Sequence, residues 1–255
     1  MAGFGISKNE SEELLANAAV EHGITDPAQV SYILATAKHE STNYTRSNEM
    51  WNGNAYDYFE GKYGPNSGHR DAIPMGNTEA GDGFKYRGRG YVQLTWKENY
   101  RKIGNELGID LVNNPDRASE PWIAAQATVI GMRDGIFTGR KLSDYIGNGQ
   151  VDFVGARRIV NGNDKAALIA GYAETYMRSR TGELLRVITD PNGRVVGATA
   201  LPEGFLASSL RPVMRPEDLN NEPPRFYRRV VSSNIKLLFQ RHSRFHRSSP
   251  LLHAA

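Results

Sequence analysis

The sequence predicts a mainly α-helical domain over residues 1–180, followed by a C-terminal extension over residues 181–255. Apolar residues recur at helical spacing up to about residue 180, and this spacing then gives way to β-branched alternation and proline-rich stretches. A length of 255 residues accommodates one substantial domain with an appendage, and an apolar content of 39% is that of an ordinary globular protein. We therefore expect the core and any functional site to lie in the first 180 residues.

Capping signals predict the first two helices. Ser7, followed three residues later by Glu10, forms a capping box, and the helix that it starts is expected to end near Gly23. Asp26 and Pro27 are typical of an N-cap and a first helical position, so they predict the start of the second helix.

Glu40 stands at the end of the apolar stripe of this second helix. The stripe consists of Val30, Ile33, Leu34 and Ala37, and Glu40 is its next position. Because residues three apart share a helix face, we expect Glu40 to point to the interior or into a cleft rather than to bulk water.

Loops and helices alternate in the rest of the body. Residues 48–90 are rich in Gly, Asn, Asp and aromatic residues, which predicts loops, and two glycines punctuate a β-like stretch at 85–95. Further helices are predicted over residues 55–64, 96–108, 119–132, 141–146, 152–160 and 164–180.

The C-terminal extension combines a predicted β-hairpin with a basic segment. β-branched residues alternate over 184–201 around the turn signal Asp-Pro-Asn-Gly, and residues 233–245 have the pattern of a short amphipathic helix. Residues 205–255 contain nine Lys or Arg and three Asp or Glu (9 − 3 = +6), so residues 1–204 carry −3 of the net +3. This charge favours an anionic partner, such as nucleic acid, a phosphate-rich envelope or a virion subunit; a solvated basic face is the alternative.

Composition and motifs exclude several classes of site. The chain has no cysteine, which excludes disulfides, thiolate metal ligands and a thiol nucleophile. The histidines lack a metal-ligand pattern and no serine stands in a nucleophile elbow, so we expect neither a metal nor a cofactor. We also expect no membrane segment and no export signal, and hence synthesis in a host cytoplasm.

Two glutamates are candidates for acid and base chemistry. Glu40 and Glu49 are nine positions apart, across the end of a helix and the following loop. An inverting glycosidase needs two carboxyl groups about 6.5–9.5 Å apart, which this spacing permits. By itself the spacing equally fits two solvated surface acids. Likewise, the aromatic residues of this region are either a sugar-stacking wall or core, namely Trp51, Tyr56, Tyr58 and Phe59.

Three segments together resemble glycoside hydrolase family 19, which includes plant-type chitinases and many phage endolysins. "YRGRGYVQLTWKENY" at 86–100 is similar to the family signature, "TAKHEST" at 36–42 to its His-Glu motif, and "RRIVNGND" at 157–164 to the far wall of its cleft. The segments follow the family's order within about residues 7–180. The resemblance implies a lysozyme-like α-helical (α+β) domain with a deep cleft.

The resemblance also implies roles for individual residues. Glu40 corresponds to the general acid, Glu49 to the general base, and Thr95 to the hydroxyl that helps to hold the attacking water. Expected substrate contacts are Gln93, Asn99, Tyr86, Arg89, Asn161 and Glu79. We expect desolvation to keep the proton on Glu40 and a polar loop to keep Glu49 ionised.

Two features leave alternatives open. Ser41-Thr42-Asn43 follow the acid where the family has two glycines, and Glu79 is a rival for the base because it lies near the signature. The compact, cysteine-free form and the phrase "NTEAGDG" are similar to phage endolysins, which favours peptidoglycan over chitin and release by a holin or carriage in a particle. A chitinase is one alternative, and a structural or glycan-binding component of a phage particle is the other.

Overall fold

The structure, a computed structural model, describes residues 3–188 and the side chains of residues 3–178. Over that range it is mainly helical, which confirms the predicted class. Its α-helices are α1 (Lys8–Glu21), α2 (Pro27–Glu40), α3 (Ala55–Tyr63), α4 (Asp82–Lys85), α5 (Lys97–Leu107), α6 (Pro121–Asp134) and α7 (Ala166–Ile188). Single 3-10 turns occupy Pro115–Ser119, Leu142–Asp144 and Gly155–Ile159. One antiparallel pair joins β1 (Ile146–Gly147) to β2 (Gln150–Val151).

Both predicted helix starts are confirmed. The Ser7 hydroxyl accepts the Glu10 amide at 3.2 Å, and the Glu10 carboxylate accepts the Ser7 amide at 2.8 Å, which completes the capping box. Asp26 caps α2 by accepting the amide of Ala28 at 2.8 Å. These caps satisfy amides that have no partner within the helix, so they fix where each helix begins.

The core lies mainly between α2 and its neighbours. Helix α2 packs against α7, and α1 packs against α6. Ile33 and Leu34 of α2, Val129 of α6 and Ile169 of α7 are completely buried in one cluster. Because nearly every residue from Ala28 to Ala37 is buried, α2 is a central helix, and its last residue is carried on a rigid support.

Two predictions between residues 141 and 160 are wrong. Residues 141–146 form a 3-10 turn and then the β1–β2 hairpin, whose Asn148-Gly149 turn has φ of 51° and 83° as a type I′ turn requires. Residues 152–160 form a 3-10 turn because Asp152 accepts the Gly155 amide at 2.7 Å and tightens the chain.

The start of the predicted hairpin needs correction. Helix α7 continues through Ile188, so residues 184–188, the start of the expected hairpin, are helical. The segment Glu183–Arg186 consists of strong helix formers, which explains the continuation. The expected turn at 190–193, the amphipathic segment and the basic residues lie outside the described residues. Within the described range, none of the helices has the length and apolarity to cross a bilayer.

Candidate active site

Glu40 is the last residue of α2 and is tied to a buried arginine. Its side chain is 18% exposed, and Arg157 Nη1 donates to its Oε1 at 2.5 Å. Arg157 is itself held, because its Nε donates to the carbonyl of Asp164 at 2.8 Å. The side chain is mostly buried, as the helix pattern predicted, and a buried cation holds it there.

A left-handed turn follows Glu40. Thr42, Asn43 and Tyr44 have φ of 53°, 57° and 65°, three consecutive non-glycine residues in the left-handed region. Ser41 stabilises the turn, because its hydroxyl donates to Ala37 at 2.6 Å and accepts the Tyr44 amide at 2.9 Å. These positions follow the acid where family 19 has glycines, and glycine adopts positive φ without steric cost.

Glu49 lies in a ring of donors. Lys62 Nζ donates to its Oε1 at 2.7 Å, and the Tyr63 hydroxyl lies 3.1 Å from both carboxylate oxygens. The Gly88 amide donates to its Oε2 at 3.3 Å, and the Glu49 amide donates back to the Gly88 carbonyl at 2.8 Å. Glu49 is therefore joined both to α3 and to the signature segment at residues 86–100.

The donors around Glu49 differ in charge. Burial raises the pKa of Tyr63 to about 12, so Tyr63 is a neutral hydroxyl donor at neutral pH. Burial opposes the charge on Lys62, but its hydrogen bonds to Glu49 and Tyr63 outweigh burial and raise the pKa of Lys62. The carboxylate thus faces one permanent cation and one neutral donor.

Gly88 brings Glu49 and Gln93 to one place. A Cβ at Gly88 would lie 2.9 Å from Gln93 Oε1 and 3.2 Å from Glu49 Oε2, so a side chain does not fit between them. Isolated β-bridges pair Arg89 with Asn48 and with Leu94, and these bridges hold the two chain segments in register. Close approach of this backbone explains the glycine in the signature.

Gln93, Thr95 and Asn99 form a chain of hydrogen bonds. Gln93 Nε2 donates to Gly90 at 3.0 Å, and Thr95 Oγ1 donates to the Gln93 carbonyl at 2.8 Å. Asn99 Nδ2 donates to the Thr95 carbonyl at 3.0 Å. Gln93 and Thr95 are partly exposed, whereas Asn99 is buried, so the structure presents the first two to solvent and keeps Asn99 inside.

Three predicted substrate contacts are corrected. The Tyr86 side chain is fully buried and donates to the Val112 carbonyl at 3.1 Å. Arg89 is also buried, and its guanidinium donates to Asp116 Oδ1 at 2.6 Å and to the Tyr100 hydroxyl at 2.9 Å. Together with Asn99, these side chains brace the signature segment, because a buried group is out of reach of a polymer.

Glu79 and Asn161 are both exposed. The Glu79 side chain is 78% exposed, and its nearest cation is Lys97 Nζ at 3.8 Å. The side-chain oxygen Oδ1 of Asn161 accepts the Gly162 amide at 2.8 Å. The backbone N–H of Asn161 donates to the carbonyl of Arg157, the residue that holds Glu40. Glu79 thus lacks the close donors that surround Glu49, while Asn161 is an exposed residue on the turn that follows Arg157.

The sequence did not reveal the roles of Lys62 and Tyr63 at this site, and it did not reveal the contact between Arg157 and Glu40. Lys62 and Tyr63 lie at the end of a helix that was predicted, but an adjacent Lys-Tyr pair carries no pattern of its own. Arg157 was noticed only within "RRIVNGND", and its contact with Glu40 spans 117 positions.

Comparison with known proteins finds similarity to chitinases over part of the chain. The family described as chitinase class I matches residues 16–133. Endochitinase 2 of Gossypium hirsutum is 32% identical over 102 residues, 39% of this chain and 33% of that protein. Inactive chitinase-like protein 1 of Hevea brasiliensis is 59% identical over 34 residues, 13% of this chain and 11% of that protein. The matches thus span a third or less of the length of these relatives.

A solved structure gives a weaker likeness. Chitinase C from Streptomyces griseus HUT6037 has 19% sequence identity and a TM-score of 0.47, with 79% of this chain and 82% of that chain covered. Likeness at this level decides neither the fold nor the activity.

Proposed function

Because residues 16–133 match the family described as chitinase class I, we propose that the protein is a glycoside hydrolase that cleaves β-1,4 bonds between N-acetylated sugars. The observation that carries the proposal is the pair Glu40 and Glu49. Both are partly buried, and a different cation, Arg157 or Lys62, orients each of them. Two partly buried carboxyl groups, each oriented by its own cation, are candidates for acid and base chemistry.

Glu40 is the general acid and Glu49 the general base of a single displacement. Glu40 Oε1 accepts from Arg157, which leaves Oε2 to carry the proton that passes to the leaving glycosidic oxygen. Glu49 takes a proton from the attacking water, whose oxygen bonds to the anomeric carbon as the glycosidic bond breaks with inversion. Glu49 Oε2 makes longer hydrogen bonds than Oε1, so it is the oxygen freer to accept that proton.

Thr95 helps to orient the attacking water. Its hydroxyl proton is donated to the Gln93 carbonyl, so its oxygen has lone pairs free to accept from a water. Gln93 lies beside Gly88 and Glu49, and its partly exposed amide supplies a contact to the glycan. Asn161, beside Arg157, supplies a contact on the Glu40 side.

Peptidoglycan is the substrate that we prefer. The phrase "NTEAGDG" at 77–83 and the absence of cysteine favour a phage endolysin, which acts on the cell wall after holin release or particle delivery. Chitin is the second candidate, because the Gossypium relative is named an endochitinase. Hydrolysis of purified peptidoglycan and chitin oligomers, measured side by side, separates the two.

A glycan-binding particle component is the competing class. The Hevea relative is named inactive, and residues 205–255 carry a net charge of +6 that suits an anionic partner or a virion subunit. Removal of residues 189–255, which spares α7, tests this role: hydrolysis of soluble glycan is retained if the extension serves docking, and lost if it completes the catalytic fold.

The first experiment measures turbidity loss of peptidoglycan sacculi and hydrolysis of chitin oligomers by wild type, Glu40→Gln, Glu49→Gln and Glu79→Gln. We expect the first two variants to lose activity by about 10²–10⁴-fold, the usual worth of a general acid or base, while Glu79→Gln retains it. Thermal unfolding checks each fold, and the anomeric form of the first product reports inversion. A folded wild type that binds either glycan without cleaving it would overturn the hydrolase proposal.

A further inference from the structure

An aromatic ladder runs from the surface to the core beside Glu49. The Trp51 ring is stacked on Tyr58 with centroids 3.9 Å apart and planes 3° apart. Tyr58 meets the buried Phe59 edge to face at 5.0 Å. Trp51 itself is 51% exposed. The ladder therefore fixes a large aromatic surface in place while leaving part of it open to solvent.

The ladder is linked to Glu49 by two routes. Lys62 Nζ, which pairs with Glu49 at 2.7 Å, also lies 5.7 Å from the centroid of the Tyr58 ring. Tyr63, which lies within hydrogen-bonding distance of both Glu49 oxygens, is parallel to Phe59 with centroids 6.3 Å apart. Trp51 also follows Glu49 by two positions, which limits the separation of their Cα atoms to about 7 Å. The open ring and the carboxylate consequently belong to one surface.

A rigid, half-open aromatic ring suits one face of a sugar. Pyranose rings present C–H groups on their faces and hydroxyls at their edges, and the C–H groups carry partial positive charge that a π face attracts. Because Tyr58 already fixes the Trp51 ring, binding costs little side-chain entropy.

We propose that Trp51, backed by Tyr58, is a stacking subsite for a sugar ring of the polymer next to the ring that is cleaved. This inference rests on the proposed function, because it places the subsite beside Glu49 as the base. It assigns Trp51 to binding, separate from the acid and base chemistry. Loss of the ring should thus weaken glycan affinity without abolishing the reaction.

The test measures binding to two hexasaccharides by calorimetry. One is the β-1,4-linked hexamer of N-acetylglucosamine, and the other is an alternating N-acetylglucosamine and N-acetylmuramic acid hexamer. Every variant carries Glu40→Gln so that no ligand is consumed. We expect Trp51→Ala to weaken binding by about tenfold and Trp51→Phe to restore part of the affinity.

Tyr56→Ala is the matched control. Tyr56 is 46% exposed and lies on α3, the helix that carries Tyr58. Its ring is tilted against Phe84, with centroids 5.7 Å apart, and lies outside the Trp51–Tyr58 pair. We expect this variant to bind as tightly as the parent. Thermal midpoints close to that of the parent show that the folds are intact.

Each outcome separates the subsite from the proposed activity. If wild type cleaves glycan but Trp51→Ala binds like its parent or like Tyr56→Ala, the subsite is wrong and the hydrolase proposal stands. If Trp51→Ala weakens binding although wild type cleaves nothing, the subsite stands and the hydrolase proposal falls. Absence of binding to both hexamers overturns the subsite, and it overturns the hydrolase proposal as well if wild type cleaves neither glycan.

Discussion

Glu40 and Glu49 differ in the kind of cation and in the number of donors around them. Glu40 has the rigid, buried guanidinium of Arg157 on one oxygen, whereas Glu49 has Lys62 and Tyr63 from α3 and the Gly88 amide. We expected burial to separate the two roles. In the structure both side chains are similarly exposed, at 18% and 22%, so burial does not distinguish them.

Lys62→Met tests whether this lysine positions Glu49. Loss of this charge-assisted hydrogen bond should let the Glu49 carboxylate move away from the position in which it activates the attacking water. We therefore expect kcat to fall roughly tenfold with KM little changed. Lys62→Arg, which keeps the cation, should restore most of kcat. Steady-state kinetics on a soluble glycan oligomer measure both constants.

Lys102→Met is the control for loss of a surface charge. Lys102 is exposed on α5, and its replacement should leave both constants unchanged. A fall in activity that Lys62→Arg does not reverse, or that appears only in KM, would contradict a positioning role for Lys62.

At the scale of elements, the turn after α2 determines how the chain leaves Glu40. Three consecutive left-handed residues take the chain from the end of α2 toward the segment that pairs with residues 88–90. Thr42 is the most strained of them because a β-branched residue is rarely found at positive φ, whereas Asn43 tolerates it. The Ser41 hydroxyl accepts the Tyr44 amide, and the Asn43 amide donates to the Lys38 carbonyl; both hydrogen bonds hold the turn in place.

Thr42→Gly should stabilise the protein. Glycine relieves about 1–2 kcal/mol of steric cost and loses about 0.5–1 kcal/mol in chain entropy, so we expect the free energy of unfolding to rise by about 0.5–1 kcal/mol. Asn43→Gly should change it less. Urea unfolding monitored by circular dichroism measures these differences.

Arg46→Gly serves as the comparison outside the left-handed run. Glycine there brings only its entropy cost, so we expect a lower free energy of unfolding. Stability of Thr42→Gly below that of wild type would show that the left-handed turn is not strained.

At the scale of the whole molecule, the junction of α1 and α6 links stability to pH. His22 Nε2 lies 2.5 Å from Gln126 Oε1, and Arg133 Nη1 lies 3.2 Å from His22 Nδ1. Nδ1 can accept from Arg133 only when the ring is neutral. Burial is the main cause that lowers the pKa of His22, and it also raises the pKa of Glu21, which accepts from Gln126.

The free energy of unfolding should fall between pH 7.5 and 5.5. Below about pH 6.5 the unfolded chain protonates His22 while the folded chain, with its lowered pKa, does not, so acid favours unfolding. Glu21 has the opposite effect on stability, because its raised pKa lets the folded chain bind a proton before the unfolded chain does as the pH falls. Urea unfolding at both pH values measures the change.

His22→Gln assigns this dependence. Glutamine does not titrate, so we expect the variant to show a smaller loss of stability between the two pH values than wild type does. An equal loss in both proteins would place the pH dependence elsewhere.

Most of the helical frame was predictable because its signals are local. The capping residues Ser7 and Asp26 and the stripe that ends at Glu40 depend on neighbours within one or two turns, and the structure confirms these helices. The β1–β2 hairpin had an Asn-Gly signal that was overlooked. The continuation of α7 through Ile188 shows that helix formers outweighed a β-branched pattern.

The sequence alone determined the mainly helical class and singled out the two glutamates as candidates, since periodicity, caps and motifs are properties of short segments. Tertiary structure alone decided which cation meets each carboxylate and which signature residues are accessible. Arg157 pairs with Glu40, although 117 positions separate them in the sequence. Arg89 is buried and pairs with Asp116, although its motif predicted a contact with substrate. Contacts of this kind arise when separate helices pack into one core, and no local pattern encodes that packing.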